Sequence, residues 1–480
     1  MSELRAAGPG ASVDRERLIR GWLVPSIIGV SLLLQTLNAT VLANALPTMA
    51  VALNEDPLRL NLAITMYLLA SAVFLPISGW AADKFGAKRI FLVAIVLYGL
   101  SSTGCGFATS LPQLVFARIL QGAAGAMMAP VGRLVLLRTT PKDELVAAMS
   151  VLTIPAVLGP MLGPVIGGAI VTFWDWRWIF FINLPIAVLG LALAIRYVPN
   201  VREQETSPLD WRGVVLTGLG FACLVFGFEN LGRSIVPPAT VVSLFVVGGA
   251  CLWLYGRHAR GNPHAIIDLS LFRIPTFNVA IIGGTFMRLS MGATPFLLAL
   301  MLQIGFGMSP FHAGLLTFMS GVGALAMKTV GPPILRRFGF RAVLTVNAAI
   351  VGISFLAYGC FNLSTPHWVI MSVLLVGGFF RSLQITSLNG MAYAEIDQPQ
   401  MSRASTISSM GQQLTQSVGV GLAALMLHWV MRFQGDTRLD AGTVPPVFFA
   451  VGLLSFISLA YFLRLHPTAG DDMNGRIRGG

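Results

Sequence analysis

The stretch Gly79-Trp-Ala-Ala-Asp83-Lys84-Phe-Gly86-Ala-Lys88-Arg89-Ile90 decides the fold of this chain. It is a charged hinge between two apolar runs, each about long enough to cross a bilayer core of roughly 30 Å as a helix rising 1.5 Å per residue. So short a connection predicts two antiparallel helices. The glycines permit the tight turn, the basic residues hold the hinge at the cytoplasmic surface, and Asp83 can interact with the positive end of a neighbouring helix.

Composition excludes a water-soluble protein. Of 480 residues, 55% are hydrophobic and 11% are charged, against about 25% charged in soluble domains. The mean hydropathy is +0.76. The net charge of +12 comes from basic residues scattered along short loops, so we expect no nucleic-acid partner. The four cysteines lie in apolar runs without metal-ligand or disulfide spacing, and we expect neither a metal nor a cofactor.

About fourteen apolar runs of membrane-spanning length follow one another along the chain. They cover residues 22–46, 62–82, 90–109, 112–137, 146–171, 178–197, 213–231, 237–255, 276–300, 312–333, 342–362, 367–391, 403–428 and 446–465. The first run follows three arginines, as a signal peptide does. Its length and the thirteen later runs favour a retained membrane helix.

The loop charges predict the orientation of these runs. Alternate connections, expected outside, carry by count five basic residues: Arg59, Arg177, Arg233, Arg432 and Arg438. The tails and the opposite connections carry more than twenty. Because basic residues stay on the cytoplasmic side, we expect a multi-pass protein of the inner or plasma membrane with both termini in the cytoplasm.

The hinge resembles the signature loop between helices 2 and 3 of the major facilitator superfamily of transporters. The resemblance implies a gating role for its glycines and charges: Gly79, Asp83, Gly86, Lys88 and Arg89. Two further motifs extend it. The first, in the fourth run, is similar to the superfamily's helix-4 motif, implicated in conformational coupling: Arg118, Gln121 and Gly122. The second, in the fifth run, is similar to the signature of its antiporters: Gly159, Gly163, Pro164, Gly167 and Gly168.

Three more phrases are typical of the fourteen-helix drug-efflux branch of this superfamily. They are Trp176–Pro185, Asp210–Gly213 and Leu271–Arg273. The resemblance covers nearly the whole chain. It implies an all-α membrane protein of the major facilitator fold, with two six-helix bundles and two inserted helices.

The resemblance also implies a domain organisation. We expect a cytoplasmic tail (1–21), an N-terminal bundle (22–197), a linker with the two inserted helices (198–275), a C-terminal bundle (276–465) and a cytoplasmic tail (466–480). An internal echo of the hinge supports the second repeat: Gly331–Arg341 has similar glycines and charges, with Leu335 in place of the acid.

The glycines of the fifth run permit two interpretations. Gly159, Gly163 and Gly167 recur every four residues, so they line one helix face and let another helix approach closely. This face is either a specific seam between the two bundles or an ordinary packing seam. Pro164 lacks an amide hydrogen and should bend the helix.

One departure from the drug-efflux pattern concerns ion coupling. The branch has Leu-Asp-x-Thr in its first helix, whereas this chain has Leu37-Asn38-Ala39-Thr40. Asn38 cannot titrate, so it cannot carry a proton as a buried carboxylate does. The other runs hold no acid near a membrane midplane; Glu229, towards the end of an inserted helix, comes closest.

The runs hold positive charge instead. An isolated arginine in a span costs at least about 2.5 kcal/mol on insertion scales, so embedded arginines usually face a cavity or a partner. Lys328 lies near a helix end, where it can extend to the membrane surface. Our candidate pathway set combines two arginines with uncharged polar residues: Gln35, Asn38, Arg288, Gln303, Arg381, Gln384, Gln412 and Gln416.

These features predict a secondary transporter, not an enzyme. We expect a monomeric exporter of small amphipathic molecules or drugs working by alternating access, with protons as one possible coupling ion. Export of organic anions or metabolites is the alternative within this class. Two other classes stay open: a receptor of transporter fold that does not translocate, and a membrane-embedded transferase or ligase, which would need clustered acid/base residues at a membrane face.

Overall fold

The computed structural model describes residues 22–55, 57–201, 208–231, 236–262, 265–434 and 442–470. Within these ranges the secondary structure is helical and contains no strand. The predicted all-α class is therefore confirmed. The N-terminal tail 1–21, residues 471–480 of the C-terminal tail, and the loop arginines Arg233 and Arg438 lie outside the described residues.

The helices follow the predicted apolar runs closely. The first bundle consists of α1 (Val24–Leu53), α2 (Pro57–Phe74, continued after a bend as Ile77–Phe85), α3 (Ala87–Gly106), α4 (Leu111–Thr139), α5 (Leu145–Phe173) and α6 (Trp178–Tyr197). The inserted pair is α7 (Trp211–Asn230) and α8 (Pro238–Arg260). The second bundle consists of α9 (Pro275–Gly305), α10 (310–338), α11 (340–359), α12 (His367–Met391), α13 (Met401–Gln434) and α14 (Pro445–Phe462).

Local chemistry explains the breaks in these helices. The two parts of α2 meet at 57°, where Pro76 has no amide hydrogen to continue the hydrogen-bond ladder. The helical stretch Pro310–Gly359 is interrupted at Gly339, whose φ of 76° separates α10 from α11. A positive φ of this size favours glycine because other residues bring their Cβ too close to the backbone.

Length and apolar character make most of these helices candidate spans. Eleven described helices meet both criteria, and twelve do if the bent α2 counts as one span. One of the eleven is the stretch that Gly339 divides into α10 and α11. The count of fourteen spans stays a prediction.

The helices pack as two groups with the inserted pair at one side. In the first group α1 packs on α5, while α4 packs on both α2 and α3. In the second, α9 packs on α13 and α14, and α12 packs on the α10–α11 stretch. The groups meet where α13 contacts α4 and α2, and where α5 contacts the α10–α11 stretch and α12. Helix α7 contacts both α2 and α13, and α8 packs on α7.

Candidate functional site

The hinge after α2 carries a contact between the two bundles. The Asp83 carboxylate forms an ion pair with Arg138 at the end of α4, with an Nη2–Oδ1 distance of 3.0 Å. It also accepts a hydrogen bond from the hydroxyl of Ser402, in the first turn of α13. A Cβ on Gly79 would lie 2.6 Å from Thr406 Oγ1, so this glycine lets α2 approach α13. We call this end of the molecule the Asp83 end.

The rest of the hinge anchors α3 within its own bundle. Gly86 has a φ of 92° and joins α2 to α3. The Lys88 ammonium donates a hydrogen bond of 2.8 Å to the carbonyl of Ile195, near the end of α6. Arg89 is exposed. Asp83 and Gly79 therefore contact the opposite bundle, whereas Lys88 is bonded within its own.

The helix-4 motif forms the centre of a buried polar cluster in the first bundle. Arg118 is 1% exposed and donates from Nε to the Ala63 carbonyl at 3.2 Å and from Nη1 to Gln121 Oε1 at 2.6 Å. Its guanidinium carbon also lies 4.3 Å from the centroid of the Tyr67 ring. A Cβ on Gly122 would collide with the Tyr67 carbonyl, so this glycine brings α4 onto α2.

Asn38 belongs to this cluster. Its Nδ2 donates to Gln121 Oε1 at 3.1 Å, and Gln121 in turn donates to the Ser102 hydroxyl at 3.2 Å. Asn183 donates to the same hydroxyl at 3.0 Å. One turn before Asn38, Gln35 donates to the Gly125 carbonyl at 2.9 Å. The position of the branch's first-helix acid is thus occupied by an amide that is hydrogen-bonded to the helix-4 motif.

The second bundle has a related arrangement around α12. Gln384 is buried and accepts a 2.7 Å hydrogen bond from Asn347 on α11. Arg381 is half-buried and donates to the Ser320 hydroxyl on α10 at 2.6 Å. Lys328, expected to extend to the membrane surface, is instead buried and donates to the Thr386 hydroxyl at 2.9 Å.

The glycines of α5 face α1, within the first bundle. A Cβ on Gly159 would collide with the Thr36 side chain, and one on Gly167 would lie 3.2 Å from the Val41 Cα. Gly163 is buried on the same helix, whereas the burial of Pro164 and Gly168 is not among that described. Of the two interpretations, the seam between bundles is wrong for Gly159 and Gly167. Other residues of α5 meet the second bundle, among them Met161 beside Gly321 of α10 and Val146 beside Gly390 of α12.

A second contact between the bundles is polar, and it centres on a residue absent from our candidate set. Arg133 of α4 is 8% exposed, and its Nη atoms lie 3.5 Å from Ser409 Oγ and 3.4 Å from Gln412 Oε1, both on α13. Nearby, Ser405 donates to the Pro130 carbonyl at 3.0 Å. Gln412 also donates to Asn389 Oδ1 of α12 at 3.2 Å.

Arg288 of α9 borders the same part of α12. A Cβ on Gly284 would lie close to both the Arg288 Nη1 and Leu388, and Leu388 is the neighbour in sequence of Asn389, to which Gln412 donates. Arg288 is 9% exposed, and its Nη1 donates to the Ala280 carbonyl at 2.9 Å. We call Arg133 and Arg288 the interbundle arginine pair. One signal could have identified Arg133 from the sequence: it is a cation followed by four apolar residues, Leu134 to Leu137, all of which are buried.

The structure separates the remaining candidates from this region. Gln303 is exposed in the last turn of α9. The side chain of Gln416 is also exposed, although its backbone packs closely against Gly292 of α9. Along α13, Ser405, Ser408 and the candidate Gln412 therefore reach the interior, whereas the candidate Gln416 does not.

Acidic residues are scarce among the helices. Within α1 to α14 as bounded here, the carboxylates are Asp83, at the Asp83 end, and Glu229, in the last turn of α7. Glu229 lines a cleft between α2 and α7 together with Thr65, Leu69 and Asn230. More than one turn from a helix end, the described helices thus hold no carboxylate and five cations: Arg118, Arg133, Arg288, Lys328 and Arg381.

Comparison with known proteins agrees with this architecture. The chain matches the family described as Major Facilitator Superfamily over residues 28–277 and 280–476. It is 36% identical to a protein of Cronobacter sakazakii named "Putative multidrug resistance protein MdtD", over 93% of this chain and 94% of that protein. It is 37% identical to the protein of the same name from Klebsiella pneumoniae, over 92% of each chain.

Two solved structures have a similar fold. The human organic anion transporter MFSD10 has a TM-score of 0.65 at 15% identity, covering 92% of this chain and 98% of that one. The proton:xylose symporter XylE has a TM-score of 0.63 at 14% identity, covering 94% and 97%. At these identities the likeness concerns the fold alone.

Proposed function

This chain belongs to the major facilitator superfamily, and from that premise we propose that it is a secondary active exporter of small amphipathic molecules or drugs. It is a multi-pass membrane protein and a transporter of its family. Alternating access would expose a central site to one side of the membrane and then the other as the two bundles rock. This mechanism involves no covalent chemistry, and we propose no enzymatic activity.

The observation that supports this mechanism best is the contact at the Asp83 end. Asp83 joins α2 and α4 of one bundle to the first turn of α13 of the other. A carboxylate beside a helix N-terminus is stabilised by the helix dipole, and the contact is made only while the bundles are closed at this end. Such a contact biases an equilibrium between two arrangements, as a gate requires.

We propose the domain boundaries and the orientation predicted above. The first bundle comprises residues 22–197, the inserted linker 198–275 and the second bundle 276–465. The Asp83 end would face the cytoplasm, with both tails, in a cell's inner or plasma membrane. Reporter fusions after Arg89 and Arg341 should then give cytoplasmic signals, and a fusion near Arg177 should report the outside. Cytoplasmic signals at both Arg89 and Arg177 would contradict this topology.

Ion coupling would not use a first-helix carboxylate, because Asn38 occupies that position. If protons drive export, we propose that another group carries them. We further propose that the protein works as a monomer, since one chain carries both of the bundles that alternating access requires.

A second candidate function is export of organic anions or metabolites. The excess of buried cations over buried carboxylates favours it, because a cationic drug in a low-dielectric cavity needs a nearby negative charge. A receptor that binds without translocating has no specific observation in its favour.

Counterflow tests the transport function directly. The purified protein is first screened for stabilisation by ethidium, chloramphenicol and 2-naphthoate, which are cationic, neutral and anionic. Proteoliposomes preloaded with a stabilising compound should then accumulate its labelled form transiently. Stabilisation without counterflow would indicate a receptor and overturn the proposal.

The Asp83 gate is tested in the same proteoliposomes. Asp83→Asn removes the charge but keeps the shape, and it should lower the transport rate by about tenfold while the protein remains folded. Asp143→Asn is the matched control, since Asp143 is exposed in the loop between α4 and α5. Equal rates for the two variants would show that the Asp83 contact is not part of the gate.

A further inference from the structure

We propose that the interbundle arginine pair, Arg133 and Arg288, binds the carboxylate of a small amphipathic organic acid. The inference rests on the proposed transport function and names a substrate class for it. It places the carboxylate between α4 of the first bundle and α9 of the second, beside α12 and α13.

Arg133 has a charge that its neighbours balance poorly. Its two closest partners are neutral oxygens, at 3.5 Å on Ser409 and 3.4 Å on Gln412. These distances exceed the usual 2.7–3.2 Å of an N–H···O hydrogen bond. A guanidinium that is 8% exposed and held by long neutral contacts retains donors for an anion.

Arg288 has an unused donor of its own. Its Nη2 is buried and has no hydrogen-bond partner within the described ranges. The hydroxyl of Tyr393, just beyond α12, is likewise buried and without a partner in those ranges. Both arginines border the C-terminal part of α12, which Tyr393 follows: Arg288 Nη1 lies beside Leu388, and Arg133 lies beside Gln412, which donates to Asn389.

Leaving such groups buried and unpaired is unfavourable, since each has lost its hydration. The chain supplies no acid to pair with them among the described helices. The acidic residue nearest in sequence to Tyr393 is Glu395, which is exposed and accepts a hydrogen bond from Thr276 at 2.9 Å. An anion from outside the chain would satisfy both arginines and the tyrosine hydroxyl.

A carboxylate fits this arrangement in charge and in geometry. A guanidinium can donate two parallel hydrogen bonds to the two carboxylate oxygens, which fixes orientation as well as charge. Beside the Arg288 head, a Cβ on Gly284 would lie 3.0 Å from Nη1 and 3.2 Å from Leu388 Cδ2. The charged site is therefore bordered by an aliphatic side chain, which suits an acid with an apolar body.

The position of the pair also connects binding to movement. Arg133 belongs to the first bundle and Arg288 to the second, so rocking of the bundles changes their separation. A carboxylate that contacts both would favour the arrangement in which they lie close together. Rocking of the bundles that separates the two arginines would weaken the binding of the carboxylate.

The first experiment needs only the unmodified protein. The dissociation constants of 2-naphthoate, its neutral methyl ester and ethidium are measured on the detergent-purified chain. The acid should bind at least about tenfold more tightly than the ester, since the ester lacks the charge that the arginines recognise. Equal affinities for acid and ester, or tightest binding of ethidium, would overturn the carboxylate site.

Variants then locate the site. Arg133→Gln and Arg288→Gln should each weaken 2-naphthoate by about tenfold or more and leave the ester unchanged. Arg288→Lys should recover part of the loss, because it keeps the charge without the planar fork. Arg257→Gln is the matched control, as Arg257 is exposed on α8 beside Trp253. A loss of the same size in Arg257→Gln, or none in either pair variant, would contradict the assignment.

Counterflow separates this inference from the transport function. Exchange of ethidium or the ester without binding of the acid would overturn the carboxylate site and leave transport standing. Tight, arginine-dependent binding of 2-naphthoate without counterflow of any compound would support the site and refute transport.

Discussion

The two bundles place an arginine and a glutamine three residues apart on equivalent helices, but they bury them differently. In the first bundle Arg118 reaches the Ala63 carbonyl of α2, and Gln121 reaches Ser102 of α3. In the second, Arg381 reaches Ser320 of α10, and Gln384 is bound by Asn347 of α11. The second and third helices of each repeat are thus contacted in the same order.

The difference lies in how fully each arginine is satisfied. Arg118 is 1% exposed and combines two hydrogen bonds with a contact to the Tyr67 ring. Arg381 is half-buried and has a single hydrogen bond to a neutral hydroxyl. The same residue pair on equivalent helices, about two turns further from the helix start in α12 than in α4, therefore provides an internal anchor in one bundle and an accessible cation in the other.

The two hinges show the same combination of a shared internal contact and one contact that differs. Gly86 and Gly339 both have positive φ, and two residues later Lys88 and Arg341 donate to carbonyls of Ile195 and Leu463, at the ends of their bundles. The first hinge adds Asp83, which reaches across to α13; the second has the buried Leu335 instead. Both hinges therefore make a hydrogen bond within their own bundle. They differ in the contact between the bundles, which Asp83 makes at the first hinge and Leu335 cannot make at the second.

The largest effect is expected where helices approach through glycine. Gly159→Leu in the first bundle and Gly419→Leu in the second would drive a side chain into α1 and into the Leu289 backbone of α9, respectively. Both should abolish most folded protein, because overpacking at a close helix contact forces the backbones apart. Size-exclusion profiles of tagged protein would measure this. Gly249→Leu is the control, because a Cβ at this position meets open space, and it should give the size-exclusion profile of the unmodified protein. If Gly419→Leu were folded, only the first bundle would depend on such packing.

Next in size is the contrast between the two arginines. Arg118→Gln should lower the melting temperature and transport strongly, since it strips hydrogen bonds from buried partners at about 1–3 kcal/mol each. Arg381→Gln should change the melting temperature much less, because the residue is partly exposed and bonds one hydroxyl. Thermal unfolding of both variants side by side measures the difference. Similar losses would mean that the two repeats use their arginines alike.

A smaller effect is expected when an acid is restored to the first helix. Asn38→Asp introduces a titratable group into the cluster around Gln121, so the transport rate should acquire a new dependence on pH. Asn347→Asp, which faces Gln384 in the second bundle, is the matched control and should leave the profile as it was. An unchanged profile for Asn38→Asp at normal expression would exclude this position from ion coupling.

The smallest effects belong to the paired hinge anchors. Lys88→Gln and Arg341→Gln each remove one exposed charge–carbonyl hydrogen bond. Each should lower the free energy of unfolding by less than about 1 kcal/mol, as exposed charged contacts contribute little. Denaturation in mild detergent should show two small, equal shifts. A large shift for one of them would mean that its hinge has a further structural role.

Sequence reasoning located the helices and the hinge more reliably than the pathway. The predicted runs match the described helices, and Asp83 lies beside a helix N-terminus as the hinge pattern indicated. Among the pathway candidates, Gln303 and Gln416 are exposed, and the set does not include Arg133, which lies six residues before the end of α4. The α5 glycines were recognised as a close-packing face, but the helix that they meet is α1.

The sequence by itself determined which segments are helical and apolar enough to span a bilayer, because a spanning helix must satisfy its own backbone and present an apolar surface along its length. It also determined the hinges, since glycines and basic residues are needed where a chain turns at a membrane surface. Which side chains meet was decided by tertiary structure alone. Helices that are apolar on every side carry little periodic signal of the face they bury, so only the packing of α13 against both α4 and α9 places Arg133 and Arg288 on either side of the same helix.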